Sequence, residues 1–201
     1  MNRGSTILRR ACTGLGIFLI LGGAFLAVRA GHVVGLSEQL HQLADLSETV
    51  PVASQVSGCF AEKSMPDPEC TPGAVFPKVT KEEVCTPGYS KKVRNVSQKA
   101  KDQIYRAYDI ASRKTGEYQV DHFISLELGG SNEVGNLWPE AAEPKPGFHE
   151  KDEVENFLHK ELCDGEISLK EVEILIGRRW KEVYQLLHDS GQVWHNEDDE
   201  D

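Results

Sequence analysis

Asp121 and His122 stand side by side, followed by Gly129-Gly130, the pair Asn136-Leu137 and then His149. A carboxylate is a hard oxygen ligand for a divalent cation, and a neutral imidazole takes a proton from water. Adjacent side chains on a strand point to opposite faces, so Asp121 and His122 at a strand end can serve as ligand and base without competing. Asn136, fourteen residues after His122, can bond the backbone and fix the loop that aims the imidazole, and Gly129-Gly130 lets the chain reverse between them. His149 opens the next helix, from which it can face back over the hairpin and ligate the cation. A cation that polarises a phosphate, beside an imidazole that activates water, is the chemistry of phosphodiester hydrolysis.

Each residue alone has a plainer reading. Asp121 is an ordinary turn or cap acid, His122 a structural histidine, Asn136 a turn residue and His149 a helix-start histidine with no metal. Glu150, Asp152 and Glu153 are acids near enough in sequence to replace His149 as ligands, His159 falls too far along the helix for a direct role, and Trp138 reads as a core anchor beneath the hairpin. The spacing of the whole set is what favours chemistry. In types and spacing it resembles the HNH nucleases, whose signature is an Asp/His-His pair, a Gly-Gly hairpin, an Asn-Leu pair and a His on the following helix. The wider stretch of about residues 66–187, with CTPGYSKKVRNV, YQVDH, LELGGSN, NLWPE and HKELCDG, is similar to small exported bacterial HNH-like proteins. The resemblance implies a ββα-metal fold and an endonuclease acting on DNA, or on RNA. It implies His122 as base, Asn136 as positioner, and Asp121 and His149 as ligands of Mg²⁺ or another divalent cation such as Mn²⁺, Zn²⁺ or Ni²⁺. The chain departs from the common pattern at Ser125, where the family often has Pro.

These residues need elements to hold them. Ser97 is a helix cap, and Ala100, Ile104, Ala107, Tyr108 and Ala111 share a face, which predicts a helix to about Arg113 ended by Thr115-Gly116. An extended run over Tyr118–Leu128, a tight turn at Gly129–Asn132 and a second short strand over Val134–Trp138 follow. A helix over Phe148–Leu162 carries Val154, Phe157, Leu158 and Leu162 on one stripe. The last helix starts at Ser168 with Glu171 completing a capping box, and runs to about His188 with Val172, Leu175, Ile176, Val183, Leu186 and Leu187 as core. The fold class is therefore α+β, a small hairpin framed by helices.

Ahead of this domain, placed at residues 66–190, residues 31–65 read as a linker with a short amphipathic helix (Leu36, Leu40, Leu43, Leu46; Ser37 as cap). Residues 51–90 are rich in Pro, Gly and Thr, with TPG at Thr71–Gly73 and Thr86–Gly88. Arg3, Arg9 and Arg10 precede Ala11–Val28, eighteen residues without a charge, closed by Arg29. Residues 1–30 are thus either a cleaved export signal or a retained membrane anchor, and both send the remainder out of the cytoplasm. Cys59, Cys70, Cys85 and Cys163 suit disulfides in that compartment, and three pairings are open. Cys59–Cys70, across a short Pro-containing loop, with Cys85–Cys163, tying the start of the domain to the far end of the motif helix, is preferred. A zinc site is the rival, but no CxxC spacing occurs.

Net charge is −10, which opposes nucleic-acid binding by bulk electrostatics. The excess is uneven: Glu197–Asp201 are all acids, in a tail (191–201) expected to be disordered. Residues 75–120 hold ten Lys/Arg against five acids. Lys91, Lys92 and Arg94 in that stretch are the phosphate contacts to expect, or else a solvated loop. Nucleic acid is the partner implied, with the membrane a second if the N-terminal segment is retained; the sequence names no inhibitor. The reading from a different class is a non-catalytic extracytoplasmic binding module on the same scaffold, which the acidic total favours and the Asp-His pair opposes.

Overall fold

The computed structural model describes residues 35–47, 51–62 and 64–191. The N-terminal apolar segment and the acidic tail lie outside the described residues. No helix among those described is long and apolar enough to cross a membrane.

The described residues from Leu36 to Gly191 form one unit. Its elements are α1 (Leu36–Leu43), α2 (Lys81–Val84), α3 (Tyr89–Val93), α4 (Gln98–Ala107), β1 (Tyr118–His122), β2 (Leu137–Ala141), α5 (Phe148–Asp164) and α6 (Leu169–Asp189). The class is α+β. β1 and β2 form a two-stranded antiparallel sheet in which Asp121 lies opposite Trp138 and His122 opposite Leu137.

The two long helices carry most of the core. Val154, Phe157, Leu158 and Leu162 of α5 are buried against Val172, Leu175, Ile176, Trp180, Val183 and Leu187 of α6. These are the expected stripes, except that Leu186 is only half-buried, beside Leu43 of α1. Ser168 and Glu171 form the capping box that starts α6. α1 covers α6 with the fully buried Leu40, and His41 Nδ1 meets Glu171 Oε1 at 2.6 Å. It begins at Leu36, so Ser37 lies inside its first turn and does not cap it, and it stops before Leu46, which is exposed.

Three other boundaries differ from the sequence expectation. α4 ends at Ala107 because Asp109 takes a left-handed backbone (φ 54°) and the Ile110 amide bonds back to the Tyr105 carbonyl, which closes the helix. Ala111 is consequently exposed. β1 stops at His122; the chain then folds into a single 3₁₀ turn at Leu126–Leu128 instead of running extended to Leu128. The second strand is Leu137–Ala141, because Val134–Asn136 form another 3₁₀ turn. Trp138 is buried edge-on to Phe123, with ring centroids 6.3 Å apart, as a core anchor.

Both preferred disulfides form. Cys59–Cys70 closes the short loop, and Cys85–Cys163 ties the end of α2 to the last turn of α5. Disulfides point to an oxidising, extracytoplasmic environment.

Candidate active site

The loop between the strands is wound around one side chain. Asn136 is fully buried. Its Oδ1 accepts from the Ile124 amide at 2.8 Å and the Ala74 amide at 3.3 Å, and its Nδ2 donates to the Ile124 and Ser131 carbonyls, each at 2.9 Å. The Phe123 amide bonds the Asn136 carbonyl at 2.7 Å. The residues just after His122 are therefore fixed from both sides. Gly129, at φ 92°, and Gly130 complete the reversal; a β-carbon on Gly130 would lie 1.7 Å from the Ile124 carbonyl oxygen, so only glycine fits.

His122, at the end of β1, is 2% exposed. Its Nε2 lies 3.2 Å from Asn132 Oδ1. The orientation of that amide is set independently: Asn132 Nδ2 donates to the Val93 carbonyl at 2.8 Å, while its Oδ1 also accepts the Asn95 amide at 2.9 Å. An oxygen only accepts, so Nε2 carries the proton and the lone pair is on Nδ1. Nδ1 is buried with no hydrogen-bond partner among the described residues. Burial holds the imidazole below its usual range, and Arg94 and Lys151 act the same way, against Asp121. At neutral pH this ring is a base with one committed donor and one free acceptor.

Asp121 points to α5. Its Oδ2 accepts from Lys151 Nζ at 3.0 Å. Lys151 is fully buried; it also donates to the His122 carbonyl at 3.1 Å and to Glu155 Oε1, and lies 3.6 Å from Glu140 Oε2. Burial opposes ionisation of Asp121, but Lys151 outweighs it and keeps the carboxyl below its usual range. The neighbouring acids move the other way. Burial, with Asp121 nearby, pushes Glu155 up to about 8 against the pull of Lys151, and Asp152 up to about 6. Glu127 and Glu140 are raised by burial as well.

The predicted residues do not all meet. His149 is exposed on the first turn of α5, its ring against Phe148. Asp121, His122 and His149 bring no three ligand atoms within 4.8 Å of one another. Among the described residues the His/Cys/Asp/Glu group close enough to hold a metal ion is Cys85, His159 and Cys163. Its two sulfurs are joined in a disulfide, so it lacks thiolate ligands until reduced. The divalent cation implied by the resemblance therefore does not fit at Asp121: the carboxylate is committed to an ammonium, and the helix histidine is elsewhere.

Of the three expected phosphate contacts, Arg94 is close enough for its charge to act on His122 and Glu127. Lys91 and Lys92 are exposed, and Lys92 lines a cleft of about 430 Å³ with Phe76, Pro77, Val79 and Tyr89.

Asn132, Lys151 and Glu155 were not anticipated. Asn132 reads as a turn residue in GGSN. Lys151 and Glu155 sit in a charged stretch that reads as solvated, yet 151, 154, 158 and 162 fall on one helical stripe with Val154, Leu158 and Leu162, and a lysine there is the signal that could have exposed it. Comparison with protein-family models, with curated proteins and with solved structures finds no match to this chain.

Proposed function

We propose that the chain is an extracytoplasmic HNH-like phosphodiester hydrolase that cuts DNA, or RNA, with His122 as general base. The observation that carries this reading is the His122 imidazole, neutral, with its proton held on Nε2 by Asn132 and its Nδ1 lone pair unpaired. Nδ1 takes the proton of the water that attacks phosphorus, the P–O bond to the departing sugar oxygen breaks, and that oxygen takes a proton from solvent. Arg94, exposed and near enough for its charge to act on the imidazole, holds the phosphate. Asn136 positions His122 by fixing the backbone that follows it. The order strand, strand, helix over residues 118–164 agrees with the ββα arrangement the resemblance implies. The disulfides support export, with the segment before residue 31 as signal or anchor.

A second reading, a non-catalytic binding module on the same scaffold, draws on the burial of Nδ1 and on the commitment of Asp121 to Lys151. Plasmid cleavage by the full chain with both disulfides formed, in Mg²⁺, Mn²⁺ or EDTA and beside His122→Ala, separates the two. Nicking that disappears in the variant supports the hydrolase. Intact plasmid and intact RNA with folded protein under all three conditions leave the binding module.

A further inference from the structure

The hairpin has a cation of its own. Lys151 comes from the third residue position after Phe148 on α5 and is fully buried, with no side-chain surface exposed. An ammonium has three N–H groups. Here they meet three acceptors, Asp121 Oδ2 at 3.0 Å, the His122 carbonyl at 3.1 Å and Glu155 Oε1. A third carboxylate, Glu140, stands 3.6 Å away on the adjacent strand, buried, with neither oxygen in a hydrogen bond. Three carboxyl groups and a carbonyl stand around one buried point, oxygen donors of the kind a hard divalent ion takes, but the three acids are spread about the ammonium more widely than the ligand atoms of a metal group. An amine occupies that point.

The charge argument runs the same way. A buried carboxylate is stable only when paired, and a buried ammonium likewise. Lys151 gives Asp121 and Glu155 a shared hydrogen-bonding cation from inside the chain. A second, divalent charge on Asp121 would sit within a few ångströms of the ammonium, whose burial leaves the repulsion weakly screened. Lys151 cannot touch a substrate, because it has no exposed surface and its donors are used. It bonds both Asp121 and the carbonyl of His122, so it fixes the strand end on which the imidazole is mounted.

We propose that the Lys151 ammonium takes the place of a divalent cation at Asp121, as a positioning residue that holds the end of β1, and that this site binds no metal ion. The claim concerns what Asp121 holds and stands apart from whether His122 hydrolyses a phosphodiester, so its test is read without cleavage. Full-length protein, disulfides intact and stripped with EDTA, is titrated with Mn²⁺ and the free ion followed by electron paramagnetic resonance, beside Asp121→Asn and Lys151→Ala. The expected result is that wild type and Asp121→Asn take up Mn²⁺ alike, with no site attributable to Asp121, while Lys151→Ala gains one bound ion per chain that Asp121→Asn in the same background removes. Micromolar binding by the wild type that Asp121→Asn abolishes would overturn the proposal. So would a folded Lys151→Ala protein that binds no more Mn²⁺ than the wild type. If Lys151→Ala does not fold, the comparison of wild type with Asp121→Asn decides alone.

Discussion

Replacing Asn136 by Ala removes a side chain that is 0% exposed and makes four hydrogen bonds to backbone groups, two to Ile124 and one each to Ala74 and Ser131. Each such bond contributes about 1 kcal/mol net, and a buried partner left unpaired costs about 1–3 kcal/mol, so the expected loss is roughly 4–6 kcal/mol. Against a typical total of about 5–15 kcal/mol, that is a large part of the stability. For a chain of this size it corresponds to a fall in Tm of roughly 10–20 °C. Urea unfolding of Asn136→Ala beside wild type measures the difference, and exchange of the Ile124 amide, protected in the wild type, localises it. Asn136→Asp keeps the acceptor and loses the donors, and is expected to be intermediate or worse because it also buries a charge. A loss below about 1 kcal/mol would refute the claim that this amide organises the loop behind His122.

Three other outcomes follow from the same structure. Asp152, whose carboxyl is raised to about 6 chiefly by burial, costs the fold nothing below its unfolded value of 3.8 and destabilises it increasingly as pH rises toward 6. Asp152→Asn is therefore expected to be more stable than wild type by about 1–2 kcal/mol at about pH 7.5, after discounting for its partial exposure, and to match it near pH 4 in thermal melts. Breaking Cys85–Cys163 as the double Ser variant opens a loop of 78 residues and is expected to cost about 4–5 kcal/mol, against about 3 kcal/mol for Cys59–Cys70 with its 11 residues; denaturant titration of the two variants gives the order. Arg94→Gln removes an exposed cation whose charge acts on His122 and is expected to weaken cleavage through KM, with the unfolding curve unchanged.

What the sequence made legible was what depends on local pattern. The stripes of α5 and α6, the Ser168–Glu171 box and the Asn136 contacts follow from helical periodicity and from the donor and acceptor set of an amide. Of the three disulfide pairings the sequence leaves open, the preferred one forms. The end of α4 was missed because Asp109 adopts a left-handed backbone that no glycine announces. The strands were misplaced by a few residues because Asn136 draws the Ile124 backbone away from the sheet, a contact across twelve positions. Lys151 was missed because a lysine between Glu150 and Asp152 reads as solvent-facing until the helix is docked on the hairpin. His149, two residues before Lys151 and so on another face of α5, shows the converse: helix-start position suggests a ligand, but the direction of the side chain is set by packing.

The central claim, that His122 is a general base for phosphodiester hydrolysis, is tested most directly by the rate at which the full-length, disulfide-bonded protein cuts labelled DNA and RNA of one sequence, measured against pH beside His122→Ala. The imidazole is held below its usual range, so the rate is predicted to stay level down through about pH 6.5 and to fall only below it. The variant is predicted to lose about 10²–10⁴-fold. Folded wild-type protein that cuts neither substrate, or His122→Ala cutting at the wild-type rate, would contradict the account.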